Sequence, residues 1–240
     1  PGKFYALPQA PQQFKQLLMV AGIDKYFQIA PCFRDEDARA DRTPGEFYQL
    51  DMEMAFATQE DVFAVMEDVV YNVFKEFSDK KIAEYPFPRI PYREAMLKYG
   101  SDKPDLRNPL VIQDVSDIFE KIDLKVFNGK IVRIISVPNG ASQPRTWFEN
   151  MTDFAIKECK AKGLAWLKVG DDRSLQGPIA KFIDDESREA LLTKTNTKEG
   201  DAIFFIAEHE PVVSKLGGQI RDELGRTLGL IDNSVYKFCW

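Results

Sequence analysis

Residues 46–57 read EFYQLDMEMAFA, and residues 25–34 read KYFQIAPCFR. Both segments are rich in the aromatic and branched side chains that favour β-strands. The segment between them, residues 36–45, reads EDARADRTPG; it is polar and ends in Pro-Gly, which is typical of a loop. The sequence therefore predicts a long antiparallel hairpin.

The second strand of this hairpin presents two chemically different faces. Successive side chains in a strand point to opposite sides, so one face carries only apolar and aromatic side chains. The other face carries Phe47, Gln49, Asp51 and Glu53. Two interpretations remain open from the pattern alone. The polar face is either the solvated side of an amphipathic strand or a floor that binds an ammonium group and stacks a base.

Three further polar residues lie close to the hairpin in sequence. Arg34 ends the first strand, where it is either a solvated charge or a group that grips a phosphate through two parallel hydrogen bonds. Gln12 and Lys15 are three residues apart, so they share one face of a helix that begins near Pro11 and ends at Gly22. That face is equally compatible with plain exposure to solvent.

The remaining N-terminal elements are predicted from local signals. Residues 3–7 (KFYAL) are a strand candidate, and Thr58 with Asp61 forms a capping-box-like start of a long helix. The helix after Pro11 has an apolar stripe that we expect to face the core. Its members are Phe14, Leu17, Leu18 and Ala21.

The chain changes character after the Gly-, Pro- and Asp-rich segment 100–109, which we interpret as a domain edge. Beyond it, strands at 130–137, 164–169 and 201–207 alternate with helices. This alternation predicts a separate α/β sandwich with its own core. The overall fold class is therefore α+β, an antiparallel sheet with helices followed by an α/β domain.

Composition excludes several classes of function. The 240 residues carry a net charge of −6, so nucleic acid must be met by local basic patches. His209 is the only histidine, which argues against histidine-rich metal sites and histidine-dependent hydrolases. Three widely spaced cysteines indicate reduced thiols of a cytoplasmic protein, and no segment is long and apolar enough to span a membrane. The chain begins at Pro1 without an initiator methionine, so we expect a piece of a longer protein.

Three strings, taken together and in order, resemble the catalytic core of bacterial aspartyl-tRNA synthetases. They are LPQAPQQFKQLLM, FRDEDARADRTPGEFYQLDMEM and YGSDKPDLR, which lie between residues 7 and 107. The middle string is similar to the second signature motif of the class II aminoacyl-tRNA synthetases. The region 108–230 resembles the inserted domain called GAD, and 231–240 would begin the return into the catalytic core. The resemblance thus implies a partial class II core in residues 1–107.

The resemblance implies a ligase that joins aspartate to ATP, releases pyrophosphate and passes the aspartyl group to tRNA. ATP is then a substrate, Mg²⁺ accompanies it, and the longer protein is expected to be a cytoplasmic homodimer. We find neither the first nor the third class II motif in these 240 residues. The magnesium ligands are therefore expected elsewhere, with no metal site here, and the fragment alone is expected to be inactive.

The resemblance also assigns roles to individual residues. Arg34 would be the catalytic residue, binding the α-phosphate and the attacking carboxylate. ATP would be bound by Arg34, Asp35, Glu36 and Phe47, with the Phe47 ring stacked on adenine. Aspartate would be bound by Gln12, Lys15, Arg34, Gln49 and Asp51.

Alternatives remain at this level. A class II synthetase for asparagine or lysine would share the fold, although Lys15 suits a negatively charged substrate side chain. A tRNA- or protein-binding module without catalysis is the alternative from another functional class. The 37–45 loop is one residue longer than is usual in the family, so its tRNA contacts are not assigned. The sequence leaves open the role of the insert and whether tRNA for asparagine is also charged.

Overall fold

The structure is a computed structural model that describes residues 2–4, 6–35, 45–122 and 124–240. The chain divides into two compact units, residues 1–73 and residues 74–240.

The first unit is built on the predicted hairpin. Strand β1 (Lys25–Phe33) pairs antiparallel with β2 (Glu46–Met54). Helix α1 (Gln12–Val20) precedes the hairpin and contacts both strands. The register places Gln28 opposite Asp51. The antiparallel hairpin expected from the sequence is therefore confirmed.

Two local expectations in this unit are wrong. Residues 3–4 and 6–7 form no strand in the part of the chain that the structure describes. In α1, Phe14 and Leu17 are exposed, whereas Lys15 is half-buried. Lys15 faces the strands, where its ammonium group meets carboxylates of β2. Of the predicted apolar stripe, only Leu18 is half-buried.

Helix α2 (Gln59–Phe77) begins with the capping box expected from the sequence. The Thr58 backbone N–H donates to Asp61 Oδ2 at 2.8 Å, and the Asp61 N–H donates to Thr58 Oγ1 at 3.4 Å. The two residues satisfy backbone donors that the first helical turn leaves without intrahelical partners.

The second unit contains a five-stranded antiparallel sheet in the order β4-β5-β8-β6-β7. Its strands are β4 (Ile112–Asp114), β5 (Ile131–Val137), β6 (Ala165–Val169), β7 (Leu175–Gln176) and β8 (Ala202–Glu208). The helices of this unit after α2 are α3 (Tyr92–Lys98), α4 (Ser116–Phe119), α5 (Arg145–Lys157), α6 (Asp185–Thr195) and α7 (Val212–Thr227). A parallel pair, β3 (Lys81–Ile82) with β9 (Val235–Tyr236), completes the described strands.

The sheet separates two hydrophobic cores because its strands are apolar on both faces. Along β5, Val132 and Ile134 face one core, which also contains residues of α4 and α6. Ile135 and Val137 face the other core, which contains residues of α5 and α7. The predicted α/β sandwich is therefore a sheet between two helical layers.

The segment that leads into this sheet is bound tightly to α7. Arg221 is 1% exposed, and it donates to the backbone oxygens of Asp105, Asn108 and Leu110 at 2.6–2.9 Å. Its guanidinium also lies 5.0 Å from the centroid of the Tyr99 ring. Residues 99–110 therefore belong to the same compact unit as the sheet. The domain boundary at residues 107 and 108 stays a prediction.

Among the described residues, no helix combines the length and the apolar character that a bilayer crossing requires.

Candidate active site

The polar face of β2 lies against α1. The register of the hairpin places Ala30 opposite Gln49 and Cys32 opposite Phe47. Cys32 is fully buried and Asp51 is 4% exposed, whereas Tyr48 and Leu50 on the opposite face are exposed. The alternation predicted for β2 is thus observed, and its polar side is the more buried of the two.

Lys15 of α1 binds two acidic residues of β2, Asp51 and Glu53. Its Nζ lies 2.8 Å from Asp51 Oδ1 and 3.3 Å from Glu53 Oε2. The hydrogen bond to Asp51 raises the pKa of Lys15 above its ordinary value, although burial acts in the opposite direction. The ammonium group is therefore held in the charged form between two carboxylates, and the cluster carries one excess negative charge.

The two carboxylate oxygens of Asp51 differ in their hydrogen bonding. Oδ1 accepts from Lys15 and, at 3.5 Å, from Gln49 Nε2. Oδ2 is buried and has no hydrogen-bond partner among the described residues. A buried oxygen without a donor is costly, and native structures usually supply one. The geometry therefore offers an acceptor for a cationic group of a ligand.

Arg34 and Phe47 lie together at the other end of the hairpin. The guanidinium carbon of Arg34 is 5.1 Å from the centroid of the Phe47 ring, within the range of a cation–π interaction. Arg34 Nε also donates to the Gln9 backbone oxygen at 3.5 Å. The arginine is half-buried, and these contacts leave it with further donors for a ligand.

The sequence profile of the family "tRNA synthetases class II (D, K and N)" matches residues 1–239. This chain belongs to that family. Its sequence is 56% identical to the aspartate–tRNA(Asp/Asn) ligase of Rickettsia bellii (strain OSU 85-389), over 100% of this chain and 40% of the relative. It is also 56% identical to the enzyme of the same name from Wolbachia pipientis subsp. Culex pipiens, with 100% and 41% coverage. The Rickettsia felis enzyme is 54% identical, with the same coverage as the Wolbachia enzyme. The chain thus spans about 40% of the length of these class II synthetases.

Within this class II synthetase chain, the structure brings some of the predicted residues together and not others. Lys15, Gln49 and Asp51 are joined by hydrogen bonds, and Arg34 is joined to Phe47. Gln12 lies one turn before Lys15 and is exposed, as is Asp35. Glu36 and the 37–44 part of the hairpin loop lie outside the described residues.

Two residues of the site had no role assigned from the sequence. Glu53 is the second carboxylate at Lys15, and the Cys32 thiol lies 3.8 Å from Gln49 Oε1. The signal for Glu53 was present, because it stands two residues after Asp51 on the same face of a strand. The position of Cys32 follows from the register between the two strands, which the sequence does not specify residue by residue.

No group of three or more His, Cys, Asp or Glu side chains in the described residues is arranged to hold a metal ion. The carboxylates of Asp51 and Glu53 are already neutralised in part by Lys15. The residues described here therefore do not fit a Mg²⁺ site, and no step of the chemistry below depends on one.

Proposed function

We propose that the full-length protein is an ATP-dependent aspartate–tRNA ligase, and that the hairpin with α1 forms the half of its active site that binds aspartate and ATP. The single observation that carries this proposal is the buried Asp51, whose Oδ2 has no donor in the described part of the chain while Lys15 stands at its other oxygen. Such a pair matches a small zwitterion that has an ammonium group and a second carboxylate a few atoms away. Aspartate has this composition.

The proposed binding mode assigns one role to each charged group. The substrate ammonium donates to Asp51 Oδ2, and the substrate side-chain carboxylate accepts from Lys15. Gln49 orients Asp51 through its amide, and Glu53 holds Lys15 from the other side. Asparagine would lose the charge attraction to Lys15, and a lysine side chain would be repelled by it.

The proposed chemistry is adenylation followed by transfer. The α-carboxylate of aspartate attacks the α-phosphorus of ATP, pyrophosphate leaves, and the aspartyl group then passes from AMP to a terminal hydroxyl of tRNA. Arg34 stabilises the charge that develops on the phosphate, because its fork of donors is in place before the reaction. Phe47 stacks on adenine in this proposal. Since Arg34 lies over that ring in the present structure, we expect its guanidinium to move off the ring when adenine occupies the same face.

Further parts of the proposal concern the rest of the protein. Residues 108–230 would form a GAD-like insert in the catalytic domain, with 231–240 returning to it. Mg²⁺, tRNA and a second copy of the chain would be partners, in the cytoplasm. The relatives are named for both tRNA(Asp) and tRNA(Asn), so we propose that the protein charges both with aspartate. Aspartate attachment to a tRNA(Asn) transcript tests that point, and strict selection of tRNA(Asp) would contradict it.

The central test is aspartate-dependent exchange of pyrophosphate into ATP by the full-length protein. Asp51→Asn keeps the shape of the side chain but removes its negative charge, so we expect the KM for aspartate to rise by about tenfold or more. Asp153→Asn is the matched control, since Asp153 is exposed on α5, where it pairs with Lys157. Exchange driven by asparagine or lysine instead of aspartate would overturn the substrate assignment.

A further inference from the structure

The sheet of the second unit has a gap at one end. Strand β6 pairs with β8 only from Lys168 opposite Ala202 to Ala165 opposite Phe205. Strand β8 continues to Glu208, which still pairs with Ile131 of β5 on the other side. The last three residues of β8 therefore have a described strand neighbour on one side only. The space beside these three residues is the position that an extension of β6 before Ala165 would occupy.

A cavity of about 470 Å³ occupies this space. One wall comes from the core beneath α7, through Leu164, Leu216 and Ile220. The opposite wall comes from the other core, through Phe127 and Ile179. Sites for small molecules are typically apolar cavities of about 300–1,000 Å³ that carry a few polar groups. The volume and lining here match that description.

The charged groups that line this cavity are two lysines and one glutamate. Glu208 Oε1 lies 3.1 Å from Lys162 Nζ and 3.8 Å from Lys130 Nζ. The hydrogen bond from Lys162 lowers the pKa of Glu208, although burial opposes this effect, so the carboxylate is ionised at neutral pH. Two ammonium groups and one carboxylate give this end of the cavity one excess positive charge.

We propose that this cavity binds a small amphipathic carboxylate, whose apolar body fills the space beside β8 and whose carboxylate contacts Lys130 and Lys162. The apolar walls supply binding energy without regard to charge, whereas the two ammonium groups select an anionic head. Among the described residues, Lys130 Nζ has no acceptor at hydrogen-bond distance, since its nearest carboxylate is the one at 3.8 Å. A ligand carboxylate would supply that acceptor. This site lies in the second unit and does not depend on the proposed ligase activity.

Decanoate and decan-1-ol are suitable probes because they share an apolar chain and differ in the charge of the head. Isothermal titration of the 240-residue chain should show saturable binding of decanoate at one site. We expect decan-1-ol to bind about fivefold or more weakly, since it lacks the charge attraction to the lysines. Added salt should weaken decanoate binding and leave decan-1-ol binding nearly unchanged.

Gly163 is a position at which a side chain can be added to the cavity lining. A Cβ at this position would meet no heavy atom within 4 Å, and Gly163 lines the cavity. Gly163→Leu should therefore weaken binding of both probes by about tenfold or more, because the added side chain takes the space of the ligand chain. Thermal unfolding of the same variant checks that it is folded.

Lys130→Met tests the head group separately, since it keeps the length of the side chain and removes its charge. It should weaken decanoate by about three- to tenfold and leave decan-1-ol unchanged. Lys157→Met is the control, because Lys157 pairs with Asp153 on the exposed side of α5, away from the cavity lining. Methyl resonances of Ile179 and Leu216 should shift on titration with decanoate, which places the ligand between the two walls.

Three results would overturn the proposal. The first is an absence of saturable decanoate binding to the unmodified chain. The second is equal affinity for decanoate and decan-1-ol, which would mean that the lysines select nothing. The third is unaltered decanoate binding by folded Gly163→Leu, which would place the probe elsewhere on the protein.

Discussion

Asp51 in the first unit and Arg221 in the second are both charged and almost completely buried, but their hydrogen bonding differs. Arg221 uses all three of its guanidinium nitrogens, with three backbone oxygens and Asp222 as acceptors. Asp51 uses one oxygen and leaves the other without a donor among the described residues. The buried charge of Arg221 is hydrogen-bonded at every nitrogen and therefore stabilises the fold. The buried carboxylate of Asp51 instead keeps one oxygen available to accept a hydrogen bond from a ligand.

Arg133 on β5 is intermediate between Asp51 and Arg221 in its hydrogen bonding. Its Nε has no hydrogen-bond partner among the residues that the structure describes, but Asp114 Oδ2 lies 3.8 Å away and the other nitrogens bind Ser214 and Glu210. Its charge is thus balanced within the second unit. The comparison predicts that changes at the hairpin alter substrate binding or reaction rates, and that changes around Arg221 alter stability.

The largest effect is expected at Arg34 in the full-length protein. Arg34→Ala should lower the rate of aspartate activation by about 10²–10³, roughly 3–4 kcal/mol, as is usual for one preorganised charge-stabilising group. Arg34→Lys should recover only part of this loss because lysine cannot make two parallel bonds. Pre-steady-state formation of the adenylate measures the rate, and thermal unfolding should change little. A near-normal activation rate of Arg34→Ala would show that Arg34 does not stabilise the charge on the phosphate.

Arg221→Met should lower the stability and leave the activation rate nearly unchanged, which is the reverse of the effects expected for Arg34→Ala. The variant removes the hydrogen bonds of Arg221 to the backbone oxygens of the buried residues Asn108 and Leu110. It also removes one of the two hydrogen bonds that the Asp105 oxygen accepts, so we expect the free energy of unfolding to fall by about 3 kcal/mol. The activation rate per folded molecule should stay within about twofold, because Arg221 has no proposed contact with substrate. Denaturant unfolding of Arg226→Met, an exposed residue paired with Glu223, provides the control. Equal stability of the two variants would mean that the 105–110 segment is not held by Arg221.

Glu53→Gln sharpens the comparison inside the hairpin. Lys15 would lose one of its two carboxylates and be held less firmly for the substrate, so the KM for aspartate should rise by about three- to tenfold. The kcat should change little, since Glu53 is not proposed to contact the phosphate. A lower KM in this variant would show instead that Glu53 competes with the substrate carboxylate for Lys15.

The smallest effect is expected from the pH dependence of Asp105. Hydrogen bonds from Arg107 hold the pKa of Asp105 below its ordinary value, so its contribution to stability is present above that value and is lost as the pH falls through the lowered pKa. Asp105 is about one-third exposed, and the contribution should be only about 0.5 kcal/mol. The stability difference between the wild type and Asp105→Asn should therefore be present at about pH 7 and shrink towards about pH 3. A stability difference that does not depend on pH would show that the charge of Asp105 makes no contribution to stability.

Local signals in the sequence predicted much of the fold. The hairpin, the capping box at Thr58 and the alternating strands and helices after residue 110 all rest on short-range patterns, and the structure contains them. The short strands β4 and β7 were not predicted, because three and two residues carry too little pattern. The strand at residues 3–7 was predicted from strand preference alone, and strand preference depends on neighbouring strands as much as on the residues themselves.

The sequence by itself determined the antiparallel hairpin, the polar face of β2 and, through the three family strings, membership in the class II synthetases. The tertiary structure alone decided that Lys15 meets Asp51 and Glu53, while one oxygen of Asp51 finds no donor within residues 2–4, 6–35, 45–122 and 124–240. It also decided that Arg221 hydrogen-bonds to the segment before β4. It further decided that a cavity lies beside the last residues of β8, which β6 does not reach. The periodicity of the sequence indicates which residues share a face of a helix or a strand. Distances between elements, and the bonds that remain unmade, depend on how those faces pack.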